Sequence, residues 1–131
     1  MLCRKTAVCA VALGLVLAAS LLQAAESYEV TTERGVTAKM RDGVILRADI
    51  YRPTAEGRFP VLLQRTPYNK SGGVAFGLQA AARGYVVIIQ DVRGRYTSDG
   101  EWYTFKHEPD DGYDTVEWAA ALPYSNGKVG M

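Results

Sequence analysis

Several groups of residues in this chain have types and spacings that could do chemistry. Ser98, His107 and the neighbouring aspartates could supply a nucleophile, a base and an orienting acid. Yet none of Ser27, Ser71, Ser98 and Ser125 stands in Gly-x-Ser-x-Gly, the strained strand-to-helix turn that exposes a serine nucleophile. The catalytic set is incomplete. His107-Glu108-Pro109-Asp110-Asp111 carries metal-binding side chains, but its spacing fits neither a helical His-Glu-x-x-His zinc site nor a calcium loop. Capping of a helix that starts there is the better account, so no metal is expected. Gly72-Gly73 lacks the Lys-Ser/Thr ending of a phosphate loop and the Gly-x-Gly-x-x-Gly pattern, and nothing else calls for a cofactor. In Val92-Arg93-Gly94-Arg95 the arginines could bind an anion or pair with nearby carboxylates to shape a loop, and both readings stand. Tyr68, behind the rigid Pro67, could donate a hydrogen bond from its phenol to a developing oxyanion. It could equally pack on a sheet.

These residues need elements to hold them. Tyr85-Val86-Val87-Ile88-Ile89 is an unbroken apolar run after Gly84, as expected of a central strand of a parallel sheet covered on both faces. Asp91, Arg93, Arg95 and Asp99 follow on a glycine-punctuated loop, and in open α/β sheets such loops at the carboxyl ends of strands build the site. Upstream, Val36–Met40 and Val44–Tyr51 alternate apolar and polar residues around Arg41-Asp42-Gly43, which predicts an antiparallel hairpin at the sheet's edge. Phe59–Arg65 reads as the first central strand and Val74–Arg83 as a helix closed by Gly84, so strand, helix and strand form a parallel crossover. Glu101–Phe105 is expected to be a short extended piece. A second helix starts at Pro109-Asp110-Asp111 and stops at Pro123. Ser125-Asn126-Gly127 turns the chain, and Lys128–Met131 begins another strand. The predicted class is α/β: a hairpin followed by βαβαβ, the entry half of a doubly wound hydrolase sheet, truncated within its last strand. In such a sheet the loop after the third strand supplies oxyanion-hole donors, and Tyr68 lies there.

The first residues read as a leader. Arg4 and Lys5 precede an uncharged apolar run from Thr6 to Leu22, and Leu22-Gln23-Ala24-Ala25 offers small residues for cleavage. A signal peptide over residues 1–25 is expected, with cleavage near Ala24 or Ala25 and export to the periplasm or beyond. No stable membrane anchor is expected. Cys3 and Cys9 leave with it, so the mature chain, 26–131, has no thiol. The net charge of +1, which loses Arg4 and Lys5 to become −1, leaves no footprint for nucleic acid.

Met40-Arg-Asp-Gly-Val44, Ala48-Asp-Ile-Tyr-Arg-Pro53, Arg65-Thr-Pro-Tyr68, Gln90-Asp-Val-Arg-Gly-Arg95, Ser98-Asp-Gly100, Asp111–Trp118 and Ser125–Met131 occur in this order. Together, across roughly residues 34 to 131, they resemble the amino-terminal part of the CocE/NonD hydrolases, the group of cocaine esterases, α-amino-acid ester hydrolases and X-prolyl dipeptidyl-peptidases. Tyr124 departs from the tryptophan usual there. The resemblance implies an α/β-hydrolase domain and acyl transfer by a Ser-His-Asp triad on a small-molecule ester or peptide. It implies that Tyr68 helps line the oxyanion hole, and the loop after the central strand is then read as bracing the site through Asp91 and Arg93. It also implies that the nucleophilic serine follows Met131 directly, with the acid and base later still. The 131-residue chain would then be an inactive fragment of an exported serine hydrolase. The alternative is a non-catalytic α/β domain that binds a partner.

Overall fold

A computed structural model describes residues 27–131; the expected signal peptide lies outside the described residues. Its strands are β1 (Val30–Lys39), β2 (Ile45–Pro53), β3 (Phe59–Thr66), β4 (Val86–Asp91) and β5 (Ser125–Gly130), and its helices α1 (Val74–Ala81) and α2 (Glu108–Ala120). They form one sheet in the order β1-β2-β4-β3-β5. β1, β2 and β4 pair antiparallel, while β4, β3 and β5 pair parallel. This is the predicted hairpin followed by βαβαβ, the α/β-hydrolase arrangement.

Alternation along the strands sorts the side chains onto two faces. Ala48, Ile50, Val61, Leu63, Val86 and Ile88 pack with Ala119 of α2 on one face. Tyr51, Val87 and Ile89 pack with Ala80 and Ala81 of α1 on the other. Every residue of β4 is buried, which explains its lack of alternation. β2 is also interior, between β1 and β4, so only β1 of the hairpin lies at the margin.

The connections define a switch point. From β3 the chain crosses through α1 to β4 on one side, then through α2 to β5 on the other. The crevice between the carboxyl ends of β3 and β4 is where a doubly wound sheet binds ligands. Thr66 and Asp91 are register partners there, so the loops that follow them leave side by side.

Three local expectations are corrected. Glu101–Phe105 is not extended throughout: it runs irregularly into a turn in which Lys106 N donates to Tyr103 O and Phe105 takes φ 63. Ser125-Asn126-Gly127 does not separate helix from strand but opens β5. There Gly127 N donates to Ser125 Oγ and Lys128 N to Asn126 Oδ1, bending the strand beside the irregular pairing between Phe59 and Val61. The acids at the start of α2 do not cap it. His107 occupies that position without a capping side chain, and the carboxylates bind arginines instead.

Candidate active site

The loop after β3 is pinned at nearly every residue. Tyr68 N donates to Thr66 Oγ1 at 3.0 Å, which folds the backbone back on the strand end. The Pro67 carbonyl accepts Arg95 Nε at 3.0 Å. Asn69 sits at φ 84, ψ 117, a costly conformation for a residue with a side chain. Its Oδ1 accepts from both Ser71 N and Ser71 Oγ, holding that conformation in place. Lys70 is fixed at both ends: its N–H donates to Asp91 Oδ1 at 2.7 Å, and its Nζ lies 3.0 Å from Asp49 Oδ1. Asp49 is fully buried on β2 and also accepts from Gly35 N at the bulge of β1. Two strands and the neighbouring loop therefore hold the short turn Lys70–Gly73.

Tyr68 stands between these anchors with its side chain 82% exposed. A fixed backbone thus presents a solvated phenol at the carboxyl rim of the parallel strands. No packing on the sheet immobilises the ring.

The loop after β4 is organised by Asp91 and Arg93. Asp91 Oδ2 accepts from Thr97 N and Thr97 Oγ1, while Oδ1 holds Lys70, so one buried carboxylate joins both loops. Arg93 Nε and Nη2 donate to Asp111 of α2 at 2.9 and 2.6 Å. Its Nη1 and Nη2 donate to Asp42 of the β1–β2 turn at 2.7 and 3.1 Å. Asp111 first, then Asp42, hold the guanidinium in its charged form and raise its pKa above the ordinary value. In return, Arg93 and then the Val44 amide lower the pKa of Asp42. Carboxylate pairing settles the question for Arg93, but not for Arg95, which meets no carboxylate among the described residues.

The other sequence candidates take structural places. Ser98 Oγ donates to the Asp91 carbonyl at 2.6 Å and accepts from Arg47 N at 2.9 Å, so a buried hydroxyl already committed twice is no nucleophile. Among the described residues no group of three His, Cys, Asp or Glu could hold a metal ion. Gly73 serves packing: a Cβ there would fall 2.2 Å from Ile89 Cδ1, so the helix start presses directly on β4.

Sequence reasoning missed Asp49 and Lys70. With Leu46, Ala48 and Ile50 assigned to the core, Asp49 appeared to face solvent. The available signal was the one acidic residue in a strand whose other charges are the arginines Arg47 and Arg52. It also missed Arg65, which reaches Glu108 and Gln90 under the start of α2.

A sheet of this order with loops of this sequence can be set beside known proteins. The profile of the X-Pro dipeptidyl-peptidase (S15) family matches residues 42–131. The chain belongs to this family. Cocaine esterase of Rhodococcus sp. (strain MB1 Bresler) is 41% identical over 102 residues, which are 73% of this chain and 18% of that protein. A CocE/NonD family hydrolase from Staphylococcus aureus superposes with a TM-score of 0.69 at 31% identity, covering 78% of this chain and 22% of its own. An aminopeptidase from a Thaumarchaeota archaeon of marine sediment gives 0.65 at 30% identity, covering 78% and 21%. The S15-family chain thus spans about a fifth of the length of such relatives. The link is to serine hydrolases at the level of the family, and the resemblance read from the sequence holds for the α/β-hydrolase domain. Among the described residues no helix is long and apolar enough to cross a membrane.

Proposed function

We propose that this chain is the amino-terminal part of an exported serine hydrolase that cleaves esters or amides by acyl transfer, and that Tyr68 supplies an oxyanion-hole donor. The observation that carries the reading is the placement of Tyr68: an exposed phenol on a fully pinned loop at the switch point of an S15-family sheet. On this reading the nucleophilic serine, its histidine and the aspartate come from sequence carboxy-terminal to Met131 in a longer protein. The register supports that position. Gly130 pairs with Leu62, so the level of Thr66 lies about 13 Å further along the direction of β5. An elbow there would raise a serine on the Thr66 side of the crevice. Its attack on the carbonyl would place the negative charge where Tyr68 Oη can donate, and His would carry the proton to the leaving group. Asp91 and Arg93 would serve as braces, holding the two loops without touching substrate.

The test is Tyr68→Phe in a protein that carries the elbow. We expect kcat on p-nitrophenyl esters or X-Pro substrates to fall by about 10²–10³, the usual cost of one oxyanion donor. An unchanged kcat would show that the Tyr68 hydroxyl does not serve the oxyanion. The 131-residue chain alone is expected to show no turnover. Activity in it that a serine-directed inhibitor abolishes would refute the placement of the nucleophile downstream.

A further inference from the structure

Arg95 is a guanidinium at this rim that the fold positions without a carboxylate partner among the described residues. Arg47, Arg65 and Arg93 around it each meet a carboxylate. Arg95, half-buried, donates Nε to the Pro67 carbonyl and lies 5.3 Å from the ring centroids of both Tyr96 and Trp102. Glu101, one residue from Trp102, makes no ion pair with it.

This arrangement is built, and at a cost. Gly94 has φ +69, and a Cβ there would lie 2.2 Å from Trp102 N, so the 94 and 102 backbones are in direct contact. That contact sets the indole beside the guanidinium. Tyr96 adopts φ 45, a left-handed conformation that a bulky residue avoids unless something fixes it, and its ring flanks Arg95 as well. With Nε committed and the guanidinium beside two aromatic rings, Nη1 and Nη2 have no acceptor among the described residues and remain as a fork of donors. Such a fork matches the two oxygens of a carboxylate. Tyr96 and Trp102, 57% and 39% exposed, leave apolar ring surface next to it.

We propose that Arg95, with Tyr96 and Trp102, is a recognition subsite for a carboxylate attached to an aromatic or apolar group, one residue's reach from Tyr68. As a substrate subsite it rests on the hydrolase reading. It would favour acyl or leaving groups that carry a free carboxylate.

The test is a titration of the 131-residue chain with phenylacetate, followed through the NMR signals of Arg95 Nε–H and Trp102 Nε1–H, with phenylacetamide as the neutral control. Saturable shifts with half-saturation in the millimolar range are expected for phenylacetate only. Arg95→Gln should weaken binding about tenfold or more. Arg95→Lys, which keeps the charge but not the fork, should weaken it about fivefold and remains informative if the glutamine variant fails to fold. Equal shifts with phenylacetamide, no saturation up to about 100 mM, or undiminished binding in the variants would overturn the proposal. Binding needs no nucleophile, so this outcome is independent of the turnover test on Tyr68.

Discussion

Replacing Arg93 with methionine tests what holds the crevice loops together. The side chain is 9% exposed and ties the loop after β4 to α2 through Asp111 and to the β1–β2 turn through Asp42. The two arms differ in weight. Asp111 is 1% exposed, so removing its partner leaves an uncompensated buried carboxylate, a change that costs about 3–5 kcal/mol. Asp42 is 47% exposed and returns to water, so its arm adds little. With a urea m-value of about 2 kcal/mol/M for a domain of this size, the unfolding midpoint should fall by about 1.5–2.5 M. Urea titration by circular dichroism reads this directly. The double variant Arg93→Met/Asp111→Asn removes the stranded charge and should recover a large part of the loss, while Asp42→Asn alone should move the midpoint far less. A fall under about 0.5 M in Arg93→Met, or a double variant no better than the single, would show that Asp111 is not held by Arg93 as described.

Two further outcomes follow from contacts elsewhere in the fold, among them Arg41 Nη2, which donates to Asp114 Oδ1 at 2.8 Å. Asp42 and Asp114 titrate below their ordinary 3.8, Asp42 chiefly through Arg93 and Asp114 chiefly through Arg41. Their stabilisation is present above pH 3.8 and lost as pH falls through the lowered folded values. Burial raises the Tyr51 and Tyr124 phenols above 10.0, so their stabilisation is present below pH 10.0 and lost above it. A melting temperature flat from pH 5 to 9 and falling on both sides, with the acid limb shallower in Asp114→Asn, is the expected profile; an acid limb unaltered in that variant would contradict it. Gly94→Ala forces a Cβ into the Trp102 backbone at positive φ, and should cost more than about 1 kcal/mol, or roughly 4–8 °C in melting temperature. An unshifted melting temperature would show that the 94 and 102 segments do not touch.

How far the sequence was legible depended on the distance over which each feature is encoded. Val86–Ile89 announces a strand covered on both faces by its own composition, and the turn around Asp42-Gly43 marks the hairpin from its immediate neighbours. Both are local and both hold in the structure. Glu101–Phe105 failed because the extended preference of aromatic and β-prone residues depends on context, which a local reading does not contain. The acids of α2 failed in the same way. Asp and Glu at a helix start satisfy a local capping rule, but Arg41, Arg65 and Arg93, from 18 to 69 residues away, claim them.

The site follows the same division, and this bears on why the loops around Tyr68 are so tightly held. Pro67 and Tyr68 were legible as a rigid loop with a donor, because both properties reside in the residues themselves. Asp91 was expected to brace the site, but the partners were not legible, since Asp49, Asp91 and Arg95 lie between 21 and 28 residues from the loop residues they hold, and each contact joins a different element. A loop so dependent on distant partners cannot form its geometry before the sheet is assembled. The strained Asn69 conformation is held locally by Ser71, while its neighbours Pro67 and Lys70 are held by contacts that need the β2–β4–β3 arrangement. The position of the Tyr68 phenol is therefore a property of the sheet, and changes at Asp49 or Asp91 should displace it as surely as changes in its own loop.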